Sequence, residues 1–122
     1  MATATRRPAA TAVAGRGCCP LYHRTIEMVG KRWTGAILMV LLDGPMRFSE
    51  IGASVSEVSD RLLSERLKEL EAEGIVERRV LVDVPVRIEY HLTPKGEALA
   101  SVVQAASAWA EDWLASQPVG QA

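Results

Sequence analysis

Leucines recur at helical spacing in the middle of the chain. Leu63, Leu67 and Leu70 are four and three residues apart, which places them on one side of a helix. Ser59 is a favoured N-cap residue, and Gly74 stands where the residue past a helix end commonly needs a positive φ. The pattern predicts an amphipathic helix of about four turns after Ser59.

Similar spacing predicts four further elements around this helix. Apolar repeats indicate earlier helices at about Tyr22 to Gly30, Trp33 to Leu42 and Phe48 to Val55. A last helix of about five turns is predicted from the cap pair Thr93-Pro94 to Leu114.

Two runs rich in β-branched residues, Ile75 to Val82 and Arg87 to Leu92, flank the turn-like Asp83-Val84-Pro85-Val86. They predict a β-hairpin. A short helix, a tight turn, a longer helix and a hairpin are typical of a winged helix-turn-helix. The predicted fold class is therefore mainly α with a small β-hairpin, a winged helix-turn-helix with an extra helix at its N-terminus and at its C-terminus.

The 122 residues suffice for one domain. We predict a flexible N-terminal arm over residues 1–17, the winged helix domain over 18–116 and a C-terminal tail over 117–122. The longest apolar run, Ala36 to Leu42, is far shorter than the roughly 20 residues that cross a bilayer. No membrane partner is expected, and the absence of a secretion-signal pattern predicts a cytoplasmic protein.

A formal net charge of −1 is low for a protein that binds nucleic acid. The charge is unevenly distributed, because residues 1–35 carry six basic residues against one acidic residue. Exposed acidic residues far from a DNA surface cost little, since salt screens charges beyond about 8 to 10 Å. The composition therefore permits DNA binding, although an interaction module that has lost it remains an alternative.

The polar side of the helix after Ser59 supplies the candidate DNA contacts. Arg61 is the leading base reader because a guanidinium pairs bidentately with guanine. Lys68 and Arg47 are expected on phosphates, and Arg66 is expected to pair with a neighbouring carboxylate. On the hairpin, Arg87 near the tip is the best candidate for a minor-groove or phosphate contact, with Arg78 and Arg79 at the base. Solvated surface charge is the alternative for each of the three. The predicted DNA-binding set is Arg47, Ser59, Asp60, Arg61, Ser64, Glu65, Lys68, Arg78 and Arg87.

Adjacent Cys18 and Cys19 are poorly placed to form a disulfide with each other. An inert thiol, a sensing thiol and a metal ligand remain, with Cys19 as the candidate sensor. A metal is the weakest of the three, because only His23 and His91 could assist and no metal-binding spacing is present. We expect neither a metal nor a cofactor.

The last helix carries a longer apolar stripe than a small domain can cover, which predicts a two-fold partner helix in a homodimer. The alternative is that Trp109 and Trp113 fold back onto the first helix of their own chain. The candidate residues for a dimer interface or a small-molecule effector pocket are Leu21, Tyr22, Trp33, Trp109 and Trp113.

In combination, these residues resemble the HxlR-type winged helix transcriptional regulators of bacteria and archaea. The resemblance covers Cys19 to about Trp113. It is carried by Cys19-Pro20, Gly30-Lys31-Arg32-Trp33-Thr34 with Ile37-Leu38, Arg47-Phe48-Ser49-Glu50-Ile51, residues 59–71, Gly74-Ile75-Val76 with Arg78, Pro85, and residues 89–96.

The resemblance implies a homodimer on a double-stranded operator with two half-sites, with the first and last helices at the dimer contact. It also implies a repressor or an activator, and repression is the expected sign. Many such regulators respond to oxidants, quinones, aldehydes or other small molecules, and Cys19 occupies the position of a frequent N-terminal cysteine. Cys18 departs from the family pattern, and the chain has no distal cysteine. Three alternatives follow: oxidised Cys19 joins two subunits, it binds a low-molecular-weight thiol, or oxidation is not the signal.

Two other functional classes are alternatives to a regulator whose main role is DNA binding. A ligand or thiol sensor with DNA binding only as its output is compatible with the same residues. An enzyme is not expected, because the sequence has no Gly-rich phosphate loop, metal-ligand set or nucleophile-base motif.

Overall fold

The computed structural model describes residues 19–115 and divides the chain into two compact units, one up to Lys31 and one from Arg32 onward. The predicted arm, Cys18 and the predicted tail lie outside the described residues, so the domain limits stay a prediction. The first unit contains α1, and the second contains the other elements. Their bounds are α1 Pro20–Val29, α2 Thr34–Leu41, α3 Phe48–Ser54, α4 Asp60–Ala72, β1 Val76–Leu81, β2 Arg87–Leu92 and α5 Pro94–Trp113.

Helix α1 begins two residues before the predicted start. Cys19 has an extended backbone at the N-cap, and Pro20 occupies the first turn, where its missing N–H breaks no helical bond. The helix ends at Gly30, whose N–H donates to the carbonyl oxygen of Ile26 at 2.8 Å. None of the ten residues in α1 is buried.

Helix α2 forms the centre of the second unit. Ile37 and Leu38 are fully buried, and Leu41 is nearly so. The helix packs against α3, α5 and β2, which explains why most of its length is apolar. The core is completed by Ile51, Val55, Val58, Leu63, Leu67, Leu70, Ile75, Val76 and Ala100.

Trp33 lies outside the helix in which its spacing placed it. Its φ of 78° is left-handed, so it forms the N-cap, and α2 begins at Thr34. A left-handed residue cannot continue a right-handed helix, which is why the apolar period overestimates this element. The first helical bond runs from the N–H of Ile37 to the carbonyl oxygen of Trp33 at 3.0 Å.

Helices α3 and α4 form the predicted helix-turn-helix. Glu50 closes the start of α3 by accepting from the N–H of Arg47 at 2.8 Å. Fully buried Ile51 fixes the inner face of α3, and the linking residues Val55 and Val58 are also buried. Apolar anchors at both ends of the turn therefore hold the two helices in one arrangement.

Helix α4 ends at the predicted glycine. Gly74 has a φ of 75°. Its N–H donates to the carbonyl oxygen of Glu71 at 3.0 Å, and the N–H of Ile75 donates to that of Leu70 at 2.9 Å. This pair of bonds is a Schellman motif, which only a residue tolerant of the left-handed region completes without strain.

The hairpin pairs β1 and β2 in antiparallel register, from Val76 opposite Leu92 to Leu81 opposite Arg87. Met46 adds a short bridge on the other side of β2 through two backbone hydrogen bonds with Tyr90. The wing is thus attached to the segment that leads into α3, as well as to the end of α4.

The start of α5 is bonded to the end of α4. The Thr93 hydroxyl accepts from the N–H of Gly96 at 3.0 Å and donates to the carbonyl oxygen of Gly74 at 2.6 Å. The ammonium group of Lys95 donates to the carbonyl oxygen of Glu73 at 2.6 Å. These contacts join the start of α5 directly to the end of α4, at the point where the chain enters and leaves the hairpin.

Candidate nucleic-acid interface

Helix α4 presents a polar face because its leucines fix the opposite one. Leu63, Leu67 and Leu70 are at most 2% exposed, so rotating the helix would expose an apolar stripe. The Ser59 hydroxyl accepts from the N–H of Leu62 at 3.1 Å and holds the first turn. The resulting outward face carries Arg61, Glu65 and Lys68, which are exposed, and the half-buried Ser64 beside them.

Arg61 is the most accessible of these groups. Its side chain is 91% exposed, and its Nε lies 3.8 Å from Glu65 Oε2. An exposed pair at this distance contributes little stability and is easily exchanged for another acceptor. Asp60 occupies the first turn of the same helix, where the positive end of the helix dipole stabilises a carboxylate.

Arg47 stands at the N-cap of α3 and lies close to the hairpin tip. A groove of about 340 Å³ is lined by Arg47, Asp83, Val84, Pro85, Val86 and Arg87. Arg47 also faces Glu50 at 3.8 Å with about half of its side chain exposed. The structure therefore brings together two of the predicted cations, Arg47 and Arg87, on one side of the second unit.

The arginines of the hairpin are not equivalent. Arg87 lies 3.8 Å from Asp83 and 3.6 Å from Glu89, so two carboxylates oppose its charge. Arg79 forms a 3.0 Å ion pair with Glu77. Arg78 is exposed opposite Tyr90 in the register, with no ion pair among the described residues. The charge of Arg78 is thus less compensated by neighbouring carboxylates than that of Arg87.

The wing tip has an apolar surface that the sequence analysis missed. Val82, Val84 and Val86 are 94%, 102% and 62% exposed. The sequence pattern predicts Val82 in a strand and Val84 and Val86 in a turn, and the alternation of the three valines was the available signal of an apolar tip. Such a cluster on an exposed loop suits contact with another molecule better than contact with water.

The expected Arg66 ion pair is present. Arg66 Nη1 lies 3.3 Å from Glu69 Oε1, and the Arg66 side chain is only 15% exposed. Arg66 Nε also donates to the carbonyl oxygen of Arg32 at 3.1 Å. This residue is therefore turned away from the outward face of α4.

The candidate sensing and dimer residues are placed as follows. Cys19 is a free thiol with intermediate exposure. Leu21 and Tyr22 on α1 are 69% and 55% exposed, and Trp109 and Trp113 are 57% and 64% exposed one turn apart on α5. Trp33 is half-buried, with the guanidinium carbon of Arg32 4.9 Å from its ring centre. An effector pocket lined by these residues stays a prediction.

Among residues 19–115, histidine, cysteine, aspartate and glutamate side chains form no group of three that could hold a metal ion. Within the same range, no helix combines the length and the apolar character needed to cross a membrane.

Comparison with known proteins decides the family. The family model for the HxlR-like helix-turn-helix matches residues 28–118, which is most of the chain. The chain belongs to the HxlR-like helix-turn-helix family. The predicted family and the predicted winged helix fold are confirmed.

Relatives in this family include two proteins of Bacillus subtilis. The HTH-type transcriptional regulator YvaP is 50% identical over 96 residues, which cover 79% of this chain and 89% of YvaP. The HTH-type transcriptional regulator YodB is 48% identical over 99 residues, which cover 81% of this chain and 88% of YodB. The predicted class of protein, a helix-turn-helix transcriptional regulator, is confirmed.

Solved structures agree with this assignment. The reduced form of YodB superposes with a TM-score of 0.72 at 48% identity, covering 79% of this chain and 94% of that one. YodB has also been solved after diamide treatment and with a bound quinone. The redox regulator HypR in its oxidised form gives a TM-score of 0.71 at 36% identity, covering 77% of this chain and 96% of that one.

Proposed function

We propose that this HxlR-like regulator binds an operator duplex as a homodimer, with α4 of each subunit in the major groove. The observation that carries the proposal is the division of α4 into a buried leucine stripe and an outward face with Arg61, Ser64, Glu65 and Lys68. A helix held in this way by a turn and a wing fits the major groove of B-DNA.

The outward face of α4 supplies both the hydrogen-bond donors and the hydrogen-bond acceptors that are needed to read base edges. Arg61 is assigned to guanine, because its guanidinium is exposed and its one ion pair among residues 19–115 is a long contact to Glu65. We assign Ser64 to donate or accept a hydrogen bond at a base edge, and Glu65 to accept one from a cytosine amino group. Ser59 and Asp60, at the N-terminal end of α4 beside Arg61, are assigned to the same DNA-binding surface.

Phosphate contacts are assigned to the cations around this face. Lys68 continues the outward side of α4, and Arg47 stands at the start of α3 beside the wing tip. Arg78 supplies a further cation on the wing, whereas the charge of Arg87 is opposed by two carboxylates. Such contacts position a protein on the duplex and make its affinity depend on salt.

The homodimer is supported by the apolar surface of α5. Val102, Trp109, Trp113 and Leu114 are all more than 40% exposed in the single chain. Large apolar side chains in such number on one helix indicate a contact surface, and aromatic residues are enriched at protein interfaces. A second copy of α5 is the partner we propose. Two-fold symmetry then places two copies of α4 on two half-sites.

A direct test is to select the preferred duplex from a randomised pool and to measure binding of the full chain to it. We expect a complex of two chains per duplex and an affinity that falls steeply with salt. A single chain per duplex, or equal affinity for the selected and a scrambled duplex, would reject the proposal.

Regulation by oxidants or electrophiles is a second proposed feature. It is supported by the partly exposed free thiol of Cys19 and by the similarity to YodB and HypR, which have been solved in quinone-bound and oxidised forms. A quinone would add its ring carbon to the Cys19 sulfur, and the thiol proton would pass to a quinone oxygen. An oxidant such as diamide would accept two electrons and two protons as two thiols, one from each subunit, form a disulfide.

The thiol proposal is tested by adding benzoquinone or diamide to the operator complex of the wild type, Cys19→Ser and Cys18→Ser. We expect release of DNA by the wild type and Cys18→Ser, and no release by Cys19→Ser. Release that persists in Cys19→Ser would assign the response to another group. Repression of a target promoter stays a prediction for reporter assays.

A further inference from the structure

Arg66 lies on α4 but takes no part in its outward face. Its side chain is 15% exposed, far less than the 91% of Arg61 five positions earlier. It occupies the flank between the buried leucine stripe and the outward face. A largely enclosed guanidinium is kept only where its N–H groups find acceptors.

Two acceptors fill that requirement. Arg66 Nε donates to the backbone carbonyl oxygen of Arg32 at 3.1 Å, a contact across 34 positions of the sequence. Arg66 Nη1 donates to the carboxylate of Glu69 at 3.3 Å, one turn further along α4. The Glu69 carboxylate orients the Arg66 guanidinium, and the guanidinium then holds the Arg32 carbonyl oxygen.

The carbonyl belongs to a turn with a defined shape. Trp33 follows it with a left-handed φ of 78°, and the Arg32 guanidinium lies 4.9 Å from the Trp33 ring centre. The Trp33 carbonyl accepts the first hydrogen bond of α2. Arg66 therefore connects α4 to the start of the most deeply buried helix of the second unit.

The hydrogen bond from Arg66 to the Arg32 carbonyl oxygen adds a directional contact, which the leucine stripe does not provide. Burial of Leu63, Leu67 and Leu70 fixes which side of α4 faces the core, but apolar contact is non-directional and permits small shifts along and about the helix axis. A hydrogen bond from a rigid guanidinium depends on angle and distance. Base readout needs side chains held to about 0.5 Å.

We propose that Arg66 is a positioning residue for operator recognition, which sets the pose of α4 against the turn at Arg32 and Trp33 and does not itself contact DNA. This inference rests on the proposed function. Arg66 acts through the base-reading face of α4, so its loss reduces discrimination between sequences more than it reduces attraction to phosphates.

The test uses the full chain with Arg66→Met and Arg66→Lys, the selected operator and a scrambled duplex of equal length. Arg66→Met is expected to lose roughly 10- to 100-fold in operator affinity, the value of one or two good base contacts. Its affinity for the scrambled duplex and its salt dependence should stay close to those of the wild type. Arg66→Lys keeps the charge but lacks the fork, so it should restore discrimination only in part.

Lys68→Met is the matched comparison, because it removes one positive charge from the same helix at an assigned phosphate contact. It should weaken both duplexes equally and make the slope of log K against log salt shallower by about one. If Arg66→Met gives this same result, Arg66 is a phosphate contact and the inference fails.

Three further outcomes are decisive. Unchanged operator discrimination in Arg66→Met overturns the inference. Failure of both Arg66 variants to fold, judged by their melting curves, also overturns it, because Arg66 is then a residue of general stability. A wild-type protein without any sequence preference rejects the proposed function itself, independently of Arg66.

Discussion

Single residues on α4 divide by the direction in which their side chains leave the helix. Arg61 and Arg66 are both arginines of one helix, yet one is 91% exposed and the other 15%. The difference follows from their angles to the leucine stripe. Arg61 is therefore assigned to the operator, and Arg66 to the protein.

Replacing Arg61 with alanine should cost about 1 to 3 kcal/mol in operator affinity and relax the preference at one operator position. The physical reason is the loss of a bidentate pair with a guanine. Binding to duplexes that vary one position at a time measures both effects. An equal loss on every duplex would instead make Arg61 a phosphate contact.

Gly96 is required by close packing at the start of α5. A Cβ at this position would lie 2.1 Å from the carbonyl oxygen of Ile75, so the α5 start would have to move away from the end of α4. Gly96→Ala should lower the free energy of unfolding by about 1 to 3 kcal/mol, as overpacking does. Urea denaturation of the purified chain measures the change.

Gly52→Ala is the matched control for that variant. A Cβ there would meet Leu63 Cδ2 at 3.7 Å, an ordinary contact, and Gly52 lies inside α3. The substitution should leave stability unchanged or raise it by up to about 1 kcal/mol, because alanine favours a helix. Equal losses in the two variants would contradict the packing argument for Gly96.

Some residue roles were readable from the sequence, and others were not. The Ser59 cap, the left-handed Gly74 and the Arg66 ion pair follow from local chemistry and are present in the structure. The left-handed Trp33 and the bond from Arg66 to the Arg32 carbonyl were not predicted. The hydrogen bond joins residues 34 positions apart, and a left-handed φ at a single tryptophan leaves no trace in the spacing of apolar residues, so helical periodicity predicts neither.

At the scale of elements, the wing combines paired arginines with an apolar tip. The elements themselves were predicted within a few residues, because alternation and turn residues are local signals. The ion pairs of the hairpin arginines were not predicted, since they depend on which arginine lies beside Asp83 and Glu89. Arg87 was predicted as the leading wing contact, whereas the ion pairs favour Arg78.

Arg78→Ala should reduce the slope of log K against log salt by about one, which is the signature of one lost phosphate contact. Arg87→Ala should reduce it less, because Asp83 and Glu89 already oppose that charge. Titrations of the operator with each variant at several salt concentrations give the slopes. The reverse order of the two effects would restore Arg87 as the main wing contact.

At the scale of the whole molecule, the apolar stripe of α5 is the feature that a single chain leaves unexplained. The sequence predicted a long amphipathic helix, and α5 extends over 20 residues with only Gly96 and Ala100 buried. The net charge of −1 is low for a protein that binds nucleic acid, yet it is compatible with a local cationic surface. The exposed apolar side chains of α5 favour a homodimer.

Replacing Trp109 and Trp113 together with alanine should convert the dimer to a monomer at micromolar concentration, because the substitution removes the two largest exposed apolar side chains of α5. Sedimentation velocity measures the change. Val82→Ser with Val84→Ser is the control, since it removes exposed apolar side chains from the wing and should leave the dimer intact. A dimer that survives the tryptophan replacements would place the interface elsewhere.

The most direct test of the central claim, that the outward face of α4 reads an operator, is a salt titration of wild-type protein on the selected and the scrambled duplex. We predict that both affinities fall linearly on a logarithmic scale and that the selected duplex stays at least about 1,000-fold tighter at physiological salt. Affinities that are equal for the two duplexes, or that are insensitive to salt, would contradict the account.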